Sequence, residues 1–228
     1  MLTDLDADAQ FDEIHEALPA YAKQYLWPTY YGDADAAVDL AVATPNGLRG
    51  IIARSFYEER FSPYAEDPDL TGAATAAFRA YLDIAWDHDH AYVIGAAGTA
   101  LKAMFQAAQF PLPELPEEVT IWRGGKNATV DELACGLSWT LDRRVASWFA
   151  VRNVPVSKSR HHPNPLVIKA TVPRSALIYY STGRNEAEVI PERLASVTVD
   201  GDASTWVREF EELVALRKAE PPEAQPSE

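Results

Sequence analysis

"PLPELPEEVTIWRGG", residues 111–125, divides the chain into two textures. Its three prolines halt any helix, because proline lacks an N–H and its ring clashes with the preceding turn. Directly after them, Val119 and Ile121 alternate with Thr120 and Trp122, the two-residue period of a half-buried strand. The fold class turns on this switch.

Upstream the spacing is helical. Residues 3–25 place Leu5, Phe11, Ile14, Leu18 and Tyr21 at mostly three- and four-residue steps, with Thr3 or Asp4 as a cap. Residues 33–43 and 47–60 also read as helices, parted by the turn signal "PNG", and 69–85 and 91–109 are alanine-rich with few breakers. Downstream, strands are predicted over 119–124, 137–141, 165–173, 176–181, 186–190 and 195–200. A helix capped by Asp142 is predicted over 142–150, and an amphipathic one over 203–219. Helices followed by strands predict an α+β protein. The expected divisions are a helical region over 1–116, a strand-rich core over 117–219, and a polar, disordered tail over 220–228.

Composition bounds the function. The chain has 228 residues, 47% of them hydrophobic, which suffices for one full-sized domain or a small domain with an added subdomain. No apolar run approaches the roughly 18 residues of a membrane span, and the acidic N-terminus lacks the apolar segment of a signal peptide. Cys135 is the only cysteine, so no internal disulfide forms, which fits a reducing compartment without requiring one. Net charge is −14, but unevenly spread: residues 1–119 carry −14, residues 120–190 carry +5 and residues 191–228 carry −5. A basic block inside an acidic protein can draw in an anionic ligand; it can equally be a set of solvated surface charges.

Three short motifs sit on the predicted strands: "WRGG" (122–125), "LSWT" (137–140) and "EAEVI" (186–190). In a regular strand Ser138 and Thr140 share a face, as do Glu186 and Glu188. Side-by-side carboxylates repel, so the second pair carries a cost that a function would have to justify. Alone, each motif has a plain structural reading: a strand-end charge, ordinary strand hydroxyls, and solvated surface glutamates.

In this order and context the three stretches resemble the mono-ADP-ribosyltransferase family, in its toxin-like branch with an Arg, Ser-x-Thr, Glu-x-Glu signature. The resemblance covers about residues 119–200 and leaves the helical half unmatched. It implies a split β-sheet core that uses NAD as substrate, without a metal. Arg123 would grip the pyrophosphate through its planar fork of donors. Gly124 and Gly125 would let the backbone come close to a ligand. One hydroxyl of Ser138 and Thr140 would bind the ribose or the catalytic carboxylate, and the other would brace the backbone. Glu188 would stabilise the oxocarbenium-like transition state at the ribose. Glu186 would orient the acceptor and take its proton.

The implied acceptor is an arginine of a target protein. RNA or DNA and water remain open, because Arg143, Arg144, Arg152, Lys158, Arg160, Lys169 and Arg174, with His161 and His162, make a basic stretch. An inactive binding module is the non-enzymatic alternative. The resemblance implies a toxin, toxin–antitoxin or phage-defence setting, an inhibitor protein as a further partner, action in a cytoplasm, and no membrane association. Residues 177–183 would form the acceptor loop, with Tyr179 or Tyr180 stacking on nicotinamide or a target side chain. Trp139, Trp148 and Phe149 read as core. "DHDH" (87–90) has metal-ligand residue types but no matching partner pair. "GAAGTALK" (95–102) lacks the ending of a phosphate loop, and Cys135 has no neighbouring base.

Overall fold

The computed structural model describes residues 7–65, 72–152 and 164–219. They form a mixed α+β protein of two compact units that divide between Pro111 and Leu112. Thr3 and Asp4, the tail, Lys158, Arg160, His161 and His162 lie outside the described residues.

The first unit is helical: α1 (Ala7–Ala17), α2 (Ala20–Tyr30), α3 (Ala34–Ala43), α4 (Leu48–Arg60), α5 (Gly72–Ala97) and α6 (Leu101–Ala108). The single predicted helix over 3–25 is in fact two, because Pro19 cannot continue α1 and instead precedes α2. The predicted break between 85 and 91 is there, but it is narrow: two helical stretches of α5 meet at a kink, with non-helical backbone at Asp89. Burial explains that kink. Asp89 and Arg49 form a buried ion pair at 2.7 Å, and Arg49 Nε also donates to the Ala41 carbonyl. Buried Phe11, Phe56, Tyr81, Trp86 and Phe105 carry the core. Asp89 of "DHDH" is thus committed to Arg49. No group of three or more metal-binding side chains occurs among the described residues. Among them no helix is long and apolar enough to cross a membrane.

The second unit is an antiparallel sheet with helices against it. Its strands are β1 (Glu118–Lys126), β2 (Trp139–Thr140), β3 (Pro165–Pro173), β4 (Leu177–Ser181), β5 (Glu188–Pro191) and β6 (Thr198–Val199), in the order β4-β5-β2-β1-β3-β6. Three helices accompany them: α7 (Val130–Ala134), α8 (Arg143–Val151) and α9 (Ala203–Ala219). The alternation of β1 and β3 splits their side chains between two apolar layers. Val119, Ile121, Ile168, Ala170 and Val172 enter one layer with Trp139, Leu177 and Val189; Val167 enters the other with Ala146, Ala150 and Trp206. Asp142 caps α8, its side chain accepting from the Arg144 N–H. The short helix α7 was not evident in the composition, although Thr129 and Glu132 form a capping box at its start.

Trp148 and Phe149 are not core. The face of α8 that meets the sheet is made of small residues, because Gly124 brings β1 so close that a Cβ there would run into the Ala146 carbonyl. The two large rings project from the side of the helix, at its half-buried edge, where Arg152 lies over both, 4.1 and 4.3 Å from their centroids. Trp139 is core, as expected.

Candidate active site

Adjacent strands carry the three motifs. Across β5-β2-β1, Glu188 lies opposite Thr140, and Thr140 opposite Trp122, next to Arg123. The two-residue β2 pairs with β1 at that one position. Arg123 lies beside it, its Nη1 donating to the Ser138 carbonyl. Its guanidinium runs against the Cα of Gly136, where any side chain would collide with it. Nε is buried without a partner. Burial pulls the Arg123 pKa below the usual arginine value, and the charge of Glu188 opposes that pull. This is not a strand-end surface charge. A desolvated cation with an unspent donor attracts an anion more strongly than a solvated one does.

The two glutamates meet by a route that strand alternation does not describe. Regular strand begins only at Glu188; Glu186 lies in the loop before it, and Ala187 between them has φ 44°. Arg184 and Asn185 also have left-handed φ, 59° and 54°. Each such non-glycine residue costs roughly 1–2 kcal/mol, so this loop needs outside support. Thr140 Oγ1 donates to the Glu186 carbonyl at 2.5 Å, the Leu141 N–H to the Ala187 carbonyl at 3.0 Å, and Arg217 Nη2 to the Asn185 carbonyl at 3.1 Å. The Gly183 N–H donates to Ser181 Oγ at 3.0 Å.

The supported loop presents one guanidinium to both carboxylates. Arg184 Nη2 is 3.3 Å from Glu186 Oε2 and 3.0 Å from Glu188 Oε2. Glu188 is 4% exposed. Burial pushes the Glu186 carboxyl above the usual glutamate range; Arg184 opposes this, Glu188 reinforces it, and Arg152 and Arg217 oppose it again. Sequence reasoning missed Arg184, Arg217 and Gly136. The only available signal for Arg184 was a cation two residues before a repelling pair.

Other predicted residues take different places. Thr140 is buried and its hydroxyl is committed, donating to Glu186 and accepting from the Asp142 N–H at 3.0 Å. Thr140 thus braces the loop that carries Glu186. Ser138 precedes β2, and its hydroxyl has no partner among the described residues. Gly124 and Gly125 lie within the β1–β3 ladder, and the space at their Cα atoms is filled by Ala146 and Leu133, not left open to a ligand. Tyr179 is fully buried, while Tyr180 is half-buried and packs against the sheet's larger apolar layer.

Among the described residues of the basic stretch, Arg143, Arg144 and Lys169 are paired with acids. Arg143 reaches Asp200 at 2.9 Å and Glu209 at 2.7 Å, Lys169 reaches Asp200 at 3.0 Å, and Arg144 reaches Asp142 at 2.7 Å. Arg174 donates to the Leu115 carbonyl. Compared with protein-family models, with characterised proteins and with solved structures, the chain matches none.

Proposed function

We propose that the second unit is an NAD-dependent mono-ADP-ribosyltransferase built on an ADP-ribosyltransferase-like split sheet, with protein arginine as acceptor. One observation carries this reading. A buried carboxylate and its neighbour hold a single guanidinium between them, beside a second, desolvated arginine with an unspent donor.

NAD brings one anionic part and one centre that becomes cationic as the nicotinamide bond breaks. Arg123 supplies donors for the pyrophosphate, and Ser138 supplies an uncommitted hydroxyl for a ribose. Glu188, held in the sheet opposite Thr140, places a fixed negative charge for the ribosyl cation. Glu186 handles the acceptor. A guanidinium has a pKa above about 12, so it becomes a nucleophile only as a neighbouring base takes its proton. The raised pKa of Glu186 suits it to that transfer. Pairing of Arg143, Arg144 and Lys169 with acids favours a protein acceptor over nucleic acid.

The test is incubation of purified protein with labelled NAD and a cell lysate, followed by separate protease and nuclease treatment. Label lost to protease, together with release of free nicotinamide, is expected. Nuclease-sensitive label would move the acceptor to RNA or DNA. Nicotinamide without macromolecular label would make the protein an NAD glycohydrolase, and neither signal would favour a binding module.

A further inference from the structure

Resting on that reading, we propose that Arg184 is itself an acceptor: the protein transfers ADP-ribose to its own Arg184 within one molecule. The guanidinium already touches both carboxylates, at 3.3 and 3.0 Å. Its backbone is held there at strained φ by bonds from Thr140, Leu141 and Arg217 to the residues that follow it. A loop so fixed makes the placement part of the fold, not one of many surface rotamers. When Glu188 turns to the ribose, Arg184 gives up one contact and keeps the other, to Glu186, the carboxylate that handles acceptors. An acceptor held in this position needs no encounter from solution.

The step balances. The bond between the ribose anomeric carbon and the nicotinamide ring nitrogen breaks, and nicotinamide leaves neutral with the electron pair. Arg184 passes a proton to Glu186, and the freed nitrogen lone pair forms the new bond to the anomeric carbon. Glu186 then releases the proton to water. The products are ADP-ribosyl-Arg184, nicotinamide and one proton.

The experiment uses the full chain, labelled NAD and no added acceptor. It follows nicotinamide release, label on the protein, and the position of the label by peptide mass spectrometry, across a wide range of protein concentration. Label at Arg184 with a rate constant independent of protein concentration is expected, as is its loss in Arg184→Lys, which keeps a cation beside the carboxylates. Nicotinamide release with an unmodified Arg184 peptide overturns the self-modification and leaves the transferase reading standing. Label at Arg184 whose rate constant rises with protein concentration overturns the intramolecular route. Absence of nicotinamide release, with Glu188→Gln indistinguishable from the parent protein, overturns both.

Discussion

Replacing Glu188 by glutamine separates chemistry from stability. The change is nearly isosteric, and the site is 4% exposed, so the amide takes the carboxylate's place without opening a cavity. Arg184 still finds an acceptor where it now donates over 3.0 Å. The loss in the folded state is the difference between a charge-assisted and a neutral hydrogen bond, about 1 kcal/mol. Relief of repulsion between Glu186 and Glu188 offsets part of it, while Arg123 loses the charge that counters its burial. Net stability is therefore expected to change by about 1 kcal/mol. The reaction loses a preorganised charge aimed at the cationic centre, a change worth roughly 10²–10³ in rate, or about 2.7–4 kcal/mol. Urea unfolding and nicotinamide release, measured on the same preparation, give the two quantities. A folded variant with parental turnover would refute the assignment of Glu188, and with it the reading of the whole site.

Further substitutions probe the neighbours. Gly136→Ala puts a methyl group onto the Arg123 guanidinium, and is expected to weaken NAD binding about as much as Arg123→Ala, roughly 1.5–3 kcal/mol by calorimetry; unchanged affinity in both would mean Arg123 only holds the Ser138 backbone. Thr140→Val leaves the Glu186 carbonyl and the Asp142 N–H without their partner, which is expected to cost roughly 1–3 kcal/mol in urea unfolding; weaker NAD binding at unchanged stability would instead place the hydroxyl on the ligand. Glu186→Gln is expected to abolish transfer to protein while nicotinamide release continues, and parallel loss of both would end the division of labour between the carboxylates. Glu186 also sets a pH dependence. Its pKa is raised in the folded state, so the folded protein binds that proton more tightly than the unfolded chain does. Its contribution to stability therefore falls as pH rises from the ordinary glutamate range through the raised value. Transfer should rise over the same window, because the base must be ionised, and the pH slopes of the urea midpoints for the parent and Glu186→Gln should differ only there.

The sheet was largely legible because strands β1, β3 and β4 alternate regularly and the prolines of 111–116 mark where helices stop. The Asp142 cap was legible for the same local reason. What stayed hidden depends on contacts between distant residues. Two-residue spacing put Glu186 and Glu188 on one strand face, yet the backbone turns left-handed at Ala187 and the pair meets through Arg184 instead. Trp148 and Phe149 look like core by hydropathy, but Gly124 draws α8 so near the sheet that only small side chains fit between. No feature local to Gly136 announces that Arg123 lies on it.

Charge illustrates the same limit. The excess of +5 over residues 120–190 suggests an anion-binding block, but a count along the chain cannot see Asp200 and Glu209, which lie beyond the block. Those two acids take up Arg143 and Lys169, and Asp142 takes up Arg144. The cations that act on the acidic pair are a different set. Arg184 contacts both glutamates; Arg152 and Arg217 act on Glu186, and Arg123 is coupled to Glu188. Arg217 lies outside the basic block altogether, on α9. Two glutamates that repel each other in sequence are thus the focus of four arginines drawn from separate elements. Folding spends much of the surface charge elsewhere and leaves this cluster where a substrate with one anionic and one cationic part can meet both signs of charge.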